Sequence, residues 1–269
     1  MLHFQDLGLS PVALTVGPFA LRWYALSYMA MLLLGWWYMR RLVARGGAPL
    51  TTTHVDDLVT YVTIGVVAGG RLGFALFYDR TLFGDPLALL SVWNGGMSFH
   101  GGFLGVLCAV FVFTWRCHLD TVRVLDYLAC AAPFGMILVR IANFVNGELW
   151  GRPTNLPWGM TFPGAGDDLP RHPSQLYEAG LEGGLMMIVL WWLFWRTDAR
   201  LHRGRLMGTA LILYGAARFA LEFVRQPDRG LEHLGWGLTM GQTLSLPMFA
   251  TGLYVLWIGA NAPRQALPH

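Results

Sequence analysis

"VRIANFVNGELWGRPT", residues 139–154, closes a long apolar run with arginine, asparagine, glutamate and glycine. The run from 124 to 144 supplies the ~20 residues that a helix needs to cross ~30 Å of hydrocarbon. It therefore reads as a membrane span ending near Phe144, with Arg140 and Asn143 in its last turns. A span that carries such polarity at its end needs a reason for it.

The same character extends outward. Of 269 residues, 55% are hydrophobic and only 13% charged, and mean hydropathy is +0.45. A soluble domain of this size carries about a quarter charged residues. The fold class is thus an all-α integral membrane protein with about seven transmembrane helices. They are expected at roughly 19–39, 58–78, 97–115, 124–144, 176–195, 206–224 and 243–260, in a single multi-pass membrane domain over 1–269. "MLHFQDLGLS", residues 1–10, has no basic leader, so the first span is expected to stay in the mature protein. Cys108, Cys117 and Cys130 have neither disulfide-framework nor metal-ligand spacing. G-x-S-x-G, Walker A and H-E-x-x-H motifs do not occur. Net charge is +3 and all nineteen basic residues are arginine, compatible with genome composition or with repeated phosphate contact.

Arginines near span ends set the orientation. Arg40, Arg41, Arg45, Arg116, Arg123, Arg196, Arg200, Arg203, Arg205 and Arg264 fall on one side. Arg80, Arg152, Arg171, Arg225 and Arg229 fall on the other, with Asp79, Asp85, Asp167 and Asp168 beside them. The positive-inside rule makes the first side cytoplasmic, with a periplasmic N-terminus and a cytoplasmic C-terminus. A Pro/Gly-rich connection at about 145–175, between spans 4 and 5, reads as a periplasmic cap.

A charge within a span costs roughly 2.5–3.5 kcal/mol on insertion scales, so each one calls for a partner or a purpose. Arg140 lies fourteen residues past Asp126, ~21 Å along a helix, and Asn143 follows on the same face. Asn146, Glu148 and Arg152 continue into the cap. In "YGAARFALEFVRQPD", residues 214–228, Tyr214, Arg218 and Glu222 form a stripe at i, i+4 and i+8. Arg218 is ~18 Å from Leu206, a depth comparable to that of Arg140. The bland readings are snorkelling for Arg140 and an internal pair for Arg218 and Glu222. The sharper one is a shared anion, and at this depth the abundant anion is a lipid phosphate, which guanidinium groups grip with charge-assisted hydrogen bonds.

"WNGGMSFHGG", residues 93–102, sets His100 among glycines at the start of the third span. It reads as an interfacial hydrogen-bonder or as a general base. Gly65, Gly69 and Gly73 have the small-xxx-small spacing of helix packing. Glu178 and Glu182 are expected to hydrogen-bond into the cap, and Tyr24 in "LRWYAL", residues 21–26, lies near the outer interface.

These residues carry a resemblance. "VRIANFVNGELWGR", residues 139–152, is similar to the signature G-R-x-G-N-F-x-N-G-E-x-x-G-R of the bacterial prolipoprotein diacylglyceryl transferases, with Val139 and Ala142 in place of glycines. "WYAL" (23–26), "GGRLGFALFY" (69–78), "WNGGMSFHGG", "LPRHPSQLYE" (169–178), "YGAARFALEFVRQPD" and "MGQTLSLPM" (240–248) extend it over nearly the full chain. The resemblance implies an enzyme of the bacterial cytoplasmic (inner) membrane. It would pass the diacylglyceryl group of phosphatidylglycerol to the lipobox cysteine of a preprolipoprotein held by its signal-peptide helix. A thioether forms and glycerol 1-phosphate leaves. No metal, organic cofactor or nucleic-acid partner is expected; the other partners are membrane lipids. Carried over by motif, Arg140 and Arg218 match the essential arginines, and His100 and Tyr24 match other functional positions. Asn143, Glu148, Gly151, Tyr214 and Glu222 are further substrate-binding candidates. The substitution needs a thiolate, an aligned carbon and neutralised charge on the departing phosphate. The arginines suit the last two. His100 is the first candidate for the thiol base, with lipid orientation as its other open role, and Tyr24 is a positioning group. The rival reading is a phospholipid-binding flippase or transporter using the same arginines.

Overall fold

The computed structural model describes residues 2–17, 19–227 and 237–261. Arg229 and Arg264, named above, lie outside them, as does the last residue of the 214–228 stretch. In chain order come β1 (Leu2–His3), β2 (Val12–Val16), β3 (Phe19–Arg22), α1 (Trp23–Val43), α2 (Thr52–Phe77), the short α3 (Pro86–Leu90), α4 (Phe99–Arg116) and α5 (Thr121–Val145). Then follow β4 (Met160–Thr161), α6 (Ser174–Glu178), π-helical turns at Ala179–Leu185, α7 (Met186–Arg196), α8 (Arg205–Leu221) and α9 (Met240–Ala260). The protein is mostly helical, and four of its helical segments fall on the spans expected at 58–78, 124–144, 176–195 and 243–260.

Among the described residues four helical segments are long and apolar enough to cross a membrane: Thr52–Phe77, Thr121–Val145, Ser174–Arg196 and Met240–Ala260. His100–Arg116 is a shorter apolar helix. The first long helix starts at Trp23 rather than at residue 19. Phe19–Arg22 is instead the second strand of an antiparallel hairpin with Val12–Val16. Hydropathy cannot separate that strand from the helix, because both are apolar.

The chain forms two compact units, residues 1–38 with 126–269, and residues 39–125. In the second unit, α2 begins at a capping box in which Thr51 accepts from the His54 amide. It packs closely on α4 through the expected glycines. A Cβ at Gly65, Gly69 or Gly73 would meet the backbone at Gly105 or Gly101 within van der Waals distance. Buried Arg71 of α2 donates to the carbonyls of Ala88, Leu89, Gly95 and Gly96.

In the first unit, Asp126 of α5 is fully buried and accepts from the amides of Gly204 and Met207, at 2.7 and 2.8 Å, where α8 begins. These amides are orphan donors of a helix start. Residues 145–175 pack against the N-terminal residues. Phe4, Met160 and Phe162 form a small core beneath them, with Phe144, Trp150 and Ala165 packed against it. β1 pairs in parallel with β4 there, and the Met160 and Arg171 backbones exchange hydrogen bonds at 2.9 Å.

Candidate functional site

Three helical segments of the first unit converge on one carboxylate. α5 supplies Arg140, the α6–π segment supplies Glu178 and Glu182, and α8 with the turn after it supplies Tyr214, Arg218, Glu222 and Arg225. Glu178 is fully buried and shared by three arginines. Arg140 Nε lies 2.9 Å from Oε2, while Arg225 Nη1 and Arg218 Nη1 lie 2.9 and 3.5 Å from Oε1. Glu182 Oε2 takes Arg140 Nη2 at 3.3 Å, and Glu222 Oε2 takes Arg218 Nη2 at 3.0 Å. Three guanidinium groups thus face three carboxylates, and the cluster is formally neutral. Neutrality is what lets so many charges be buried together, since an unpaired ion costs several kcal/mol to desolvate.

The cluster is graded in accessibility. Glu178 and Glu182 are sealed, whereas the Arg140 and Arg218 side chains keep 19% and 17% exposure. Each of these arginines spends only part of its fan of N–H donors on the carboxylates. The glutamates hold the two guanidinium groups, which belong to the more exposed side chains of the cluster.

Neighbouring groups extend the site. Asn143 Nδ2 donates to Glu148 Oε1 at 2.8 Å, Asn146 Nδ2 to the same oxygen at 3.2 Å, and Gln175 Nε2 to the Glu148 carbonyl. The end of α5 is thereby tied to the start of α6. The Tyr214 hydroxyl lies within electrostatic reach of Glu182, Arg140, Arg218 and Glu178. The Tyr24 hydroxyl is 3.4 Å from that of Tyr28, and the charges of Glu148 and Arg140 act on it. Tyr24, Arg140, Asn143, Glu148, Tyr214, Arg218 and Glu222 are therefore brought together in one unit. Gly151 has a packing reason as well: its amide donates to the His172 carbonyl at 2.8 Å, and a Cβ would lie 2.5 Å from the Val224 carbonyl oxygen. His100 belongs to the other unit, where it is exposed in the first turn of α4 behind the N-cap Ser98.

Glu178 and Glu182 correct the sequence reading. Both bind the site arginines instead of hydrogen-bonding into the cap, and Arg225 joins them. The available signal was two acids one turn apart at a span start in an acid-poor chain.

Outside the helices, the Arg171 guanidinium beside Asp167, at 2.6 Å, holds that carboxyl below the usual carboxylate range. Burial lowers the His172 imidazole. Among the described residues no group of histidine, cysteine and acid side chains is arranged to hold a metal ion.

Comparison with known proteins gives a consistent result. The family described as prolipoprotein diacylglyceryl transferase matches residues 11–258. A Zymomonas mobilis protein named phosphatidylglycerol–prolipoprotein diacylglyceryl transferase is 48% identical over 265 residues, 95% of this chain and 93% of its own. Proteins of the same name from Erythrobacter litoralis (49% over 269 residues, 99% of this chain and 95% of theirs) and Paramagnetospirillum magneticum (50% over 250 residues, 92% and 93%) are similar as well.

Proposed function

The chain belongs to the prolipoprotein diacylglyceryl transferase family, and from that premise we propose how its residues carry the reaction. The protein is a transferase of lipoprotein maturation that moves the diacylglyceryl group of phosphatidylglycerol to a prolipoprotein. In our reading the acceptor is the lipobox cysteine, presented by a signal-peptide helix from the surrounding lipid. Its sulfur attacks the glycerol carbon that bears the phosphate ester. A C–S bond forms, the C–O bond breaks with its electron pair going to oxygen, and glycerol 1-phosphate departs.

The observation that carries this reading is the convergence of Arg140 and Arg218 on buried Glu178, with both arginine side chains partly exposed. A phosphate held by both forks has its charge stabilised by donors already in place, and its ester carbon is fixed for in-line attack. Glu178, Glu182, Glu222 and Arg225 keep the forks oriented. Asn143 and Glu148 shape the floor of the site, and Tyr214 and Tyr24 offer hydroxyls to the headgroup. His100 accepts the thiol proton, since the thiolate is the nucleophile and a free thiol ionises only near pH 8.5.

The long helices cross the bacterial inner membrane seven times, with the N-terminus and the 145–175 cap periplasmic and the C-terminus cytoplasmic. The asymmetry of arginines at the helix ends supports this.

The test uses detergent micelles with phosphatidylglycerol and a lipobox peptide. The wild-type protein should release glycerol phosphate and raise the peptide mass by one diacylglyceryl unit. Arg140→Ala should lose ~10²-fold or more of that rate while staying folded. A folded wild-type protein that binds the lipid without modifying the peptide would return the site to the flippase reading.

A further inference from the structure

Arg71 lies outside the ion cluster, yet it is a buried charge whose acceptors are all backbone carbonyls. Nε donates to Leu89 at 2.9 Å and Nη2 to Ala88 at 2.7 Å, the last carbonyls of α3. Nη1 donates to Gly95 and, at 3.0 Å, to Gly96. Those glycines have φ of +82° and +78°, left-handed conformations that aim two successive carbonyls at one guanidinium. A Cβ on Gly96 would lie 2.9 Å from Arg71 Nη1 and 2.7 Å from the Phe74 ring, so the turn is moulded around this side chain. One residue before Arg71, the Gly70 carbonyl accepts from the Ser98 amide at 2.9 Å, and Ser98 is the N-cap of α4. α2 thus grips the turn at both ends, and the first residues beyond the grip are Phe99 and His100.

We infer that Arg71 is a positioning residue for the transfer, acting through the Gly95–Gly96 turn and the start of α4 to fix where His100 is presented. The inference rests on the role proposed for His100 above. A shift of the helix start keeps the hydrogen bonds within α4 and loses the Ser98–Gly70 bond to α2, while the seam farther along, where Gly65 meets Gly105, still holds the pair together. Arg71 is then needed for the place of one side chain, while the packing of the unit rests on the glycines. A lysine cannot replace it fully, because a single ammonium lacks the planar fork that reaches carbonyls on two separate segments.

The experiment compares Arg71→Gln, Arg71→Lys, His100→Gln and the double variant with wild type. All are full-length proteins in phosphatidylglycerol micelles, read by melting temperature, kcat and KM. Arg71→Gln should keep a cooperative melt and a KM for phosphatidylglycerol near the wild-type value. Its kcat should fall ~10- to 100-fold, the scale of a misplaced catalytic group. Arg71→Lys should recover part of the rate, and it decides the matter if Arg71→Gln does not fold. Adding Arg71→Gln to His100→Gln should cost nothing further. Carbethoxylation of His100 by diethyl pyrocarbonate, followed by peptide mass, gives a readout independent of turnover and should change severalfold in rate with Arg71→Gln or Arg71→Lys. Folded Arg71 variants with wild-type kcat, an equal loss in both backgrounds, or an unchanged carbethoxylation rate would overturn the inference. A folded, fully active His100→Gln would remove the His100 role itself, which the other outcomes leave standing.

Discussion

At the scale of the residue, Glu178 decides the character of the site. It is fully buried among Arg140, Arg218 and Arg225. Glu178→Gln should therefore cost about 3–5 kcal/mol, the scale of breaking a buried ion pair, and should lower both the melting temperature and transfer. Arg218→Gln should behave differently. Glu178 keeps Arg140 and Arg225 but buried Glu222 loses its partner, so the melt should shift down yet stay cooperative, while turnover below it falls ~10²-fold or more; a fully active, folded variant would remove Arg218 from the chemistry. Arg140, Arg218 and Glu222 were legible in the sequence because charge stands out where a helix ought to be apolar. Glu178 and Glu182 were not. Acids at the start of a span look solvated, and their partners lie on other helices, forty residues away for Glu178 and Arg218. Arg71 stayed hidden for a related reason: its acceptors are carbonyls, and every residue has one.

At the scale of the element, the α2–α4 seam depends on the absence of side chains. Gly105→Ala would drive a methyl group into the Gly65 carbonyl. The helices would have to separate, at a cost of about 1–3 kcal/mol or more, read as a lower melting temperature. This seam was visible from spacing alone, since Gly65, Gly69 and Gly73 fall on one helical face. Two other elements were not. The β2–β3 hairpin is as apolar as the helix that follows it. The π-helical turns at Ala179–Leu185 have no compositional mark, although they carry Glu182. Such widened turns recur at functional sites.

At the scale of the whole molecule, the long helices were readable from apolar run lengths, while the fold of residues 145–175 depends on pairings that no periodicity announces. That segment should loosen in acid. Burial lowers the His172 imidazole from its ordinary value near 6.5, so the fold favours the neutral ring. Its contribution is complete above pH ~6.5 and is lost as pH falls toward the lower folded value. Asp167 is likewise depressed, by Arg171, so its contribution is complete above the ordinary carboxylate value and fades only at still lower pH. His172 therefore acts first. The melting temperature should drop between pH 7.5 and 5.5, and His172→Gln should flatten that drop; an unchanged slope would show that the ring does not report on folding.

The ion cluster also bears on how the chain is made. Arg140 is synthesised 42 residues ahead of Glu182, and Glu178 is synthesised 40 residues ahead of Arg218. Arg140 is thus made before either of its carboxylate partners, and Glu178 before Arg218 and Arg225. The segments carrying Arg140, Glu178 and Arg218 are therefore expected to enter lipid together, and a chain truncated before Arg218 is expected to insert less completely than the full chain.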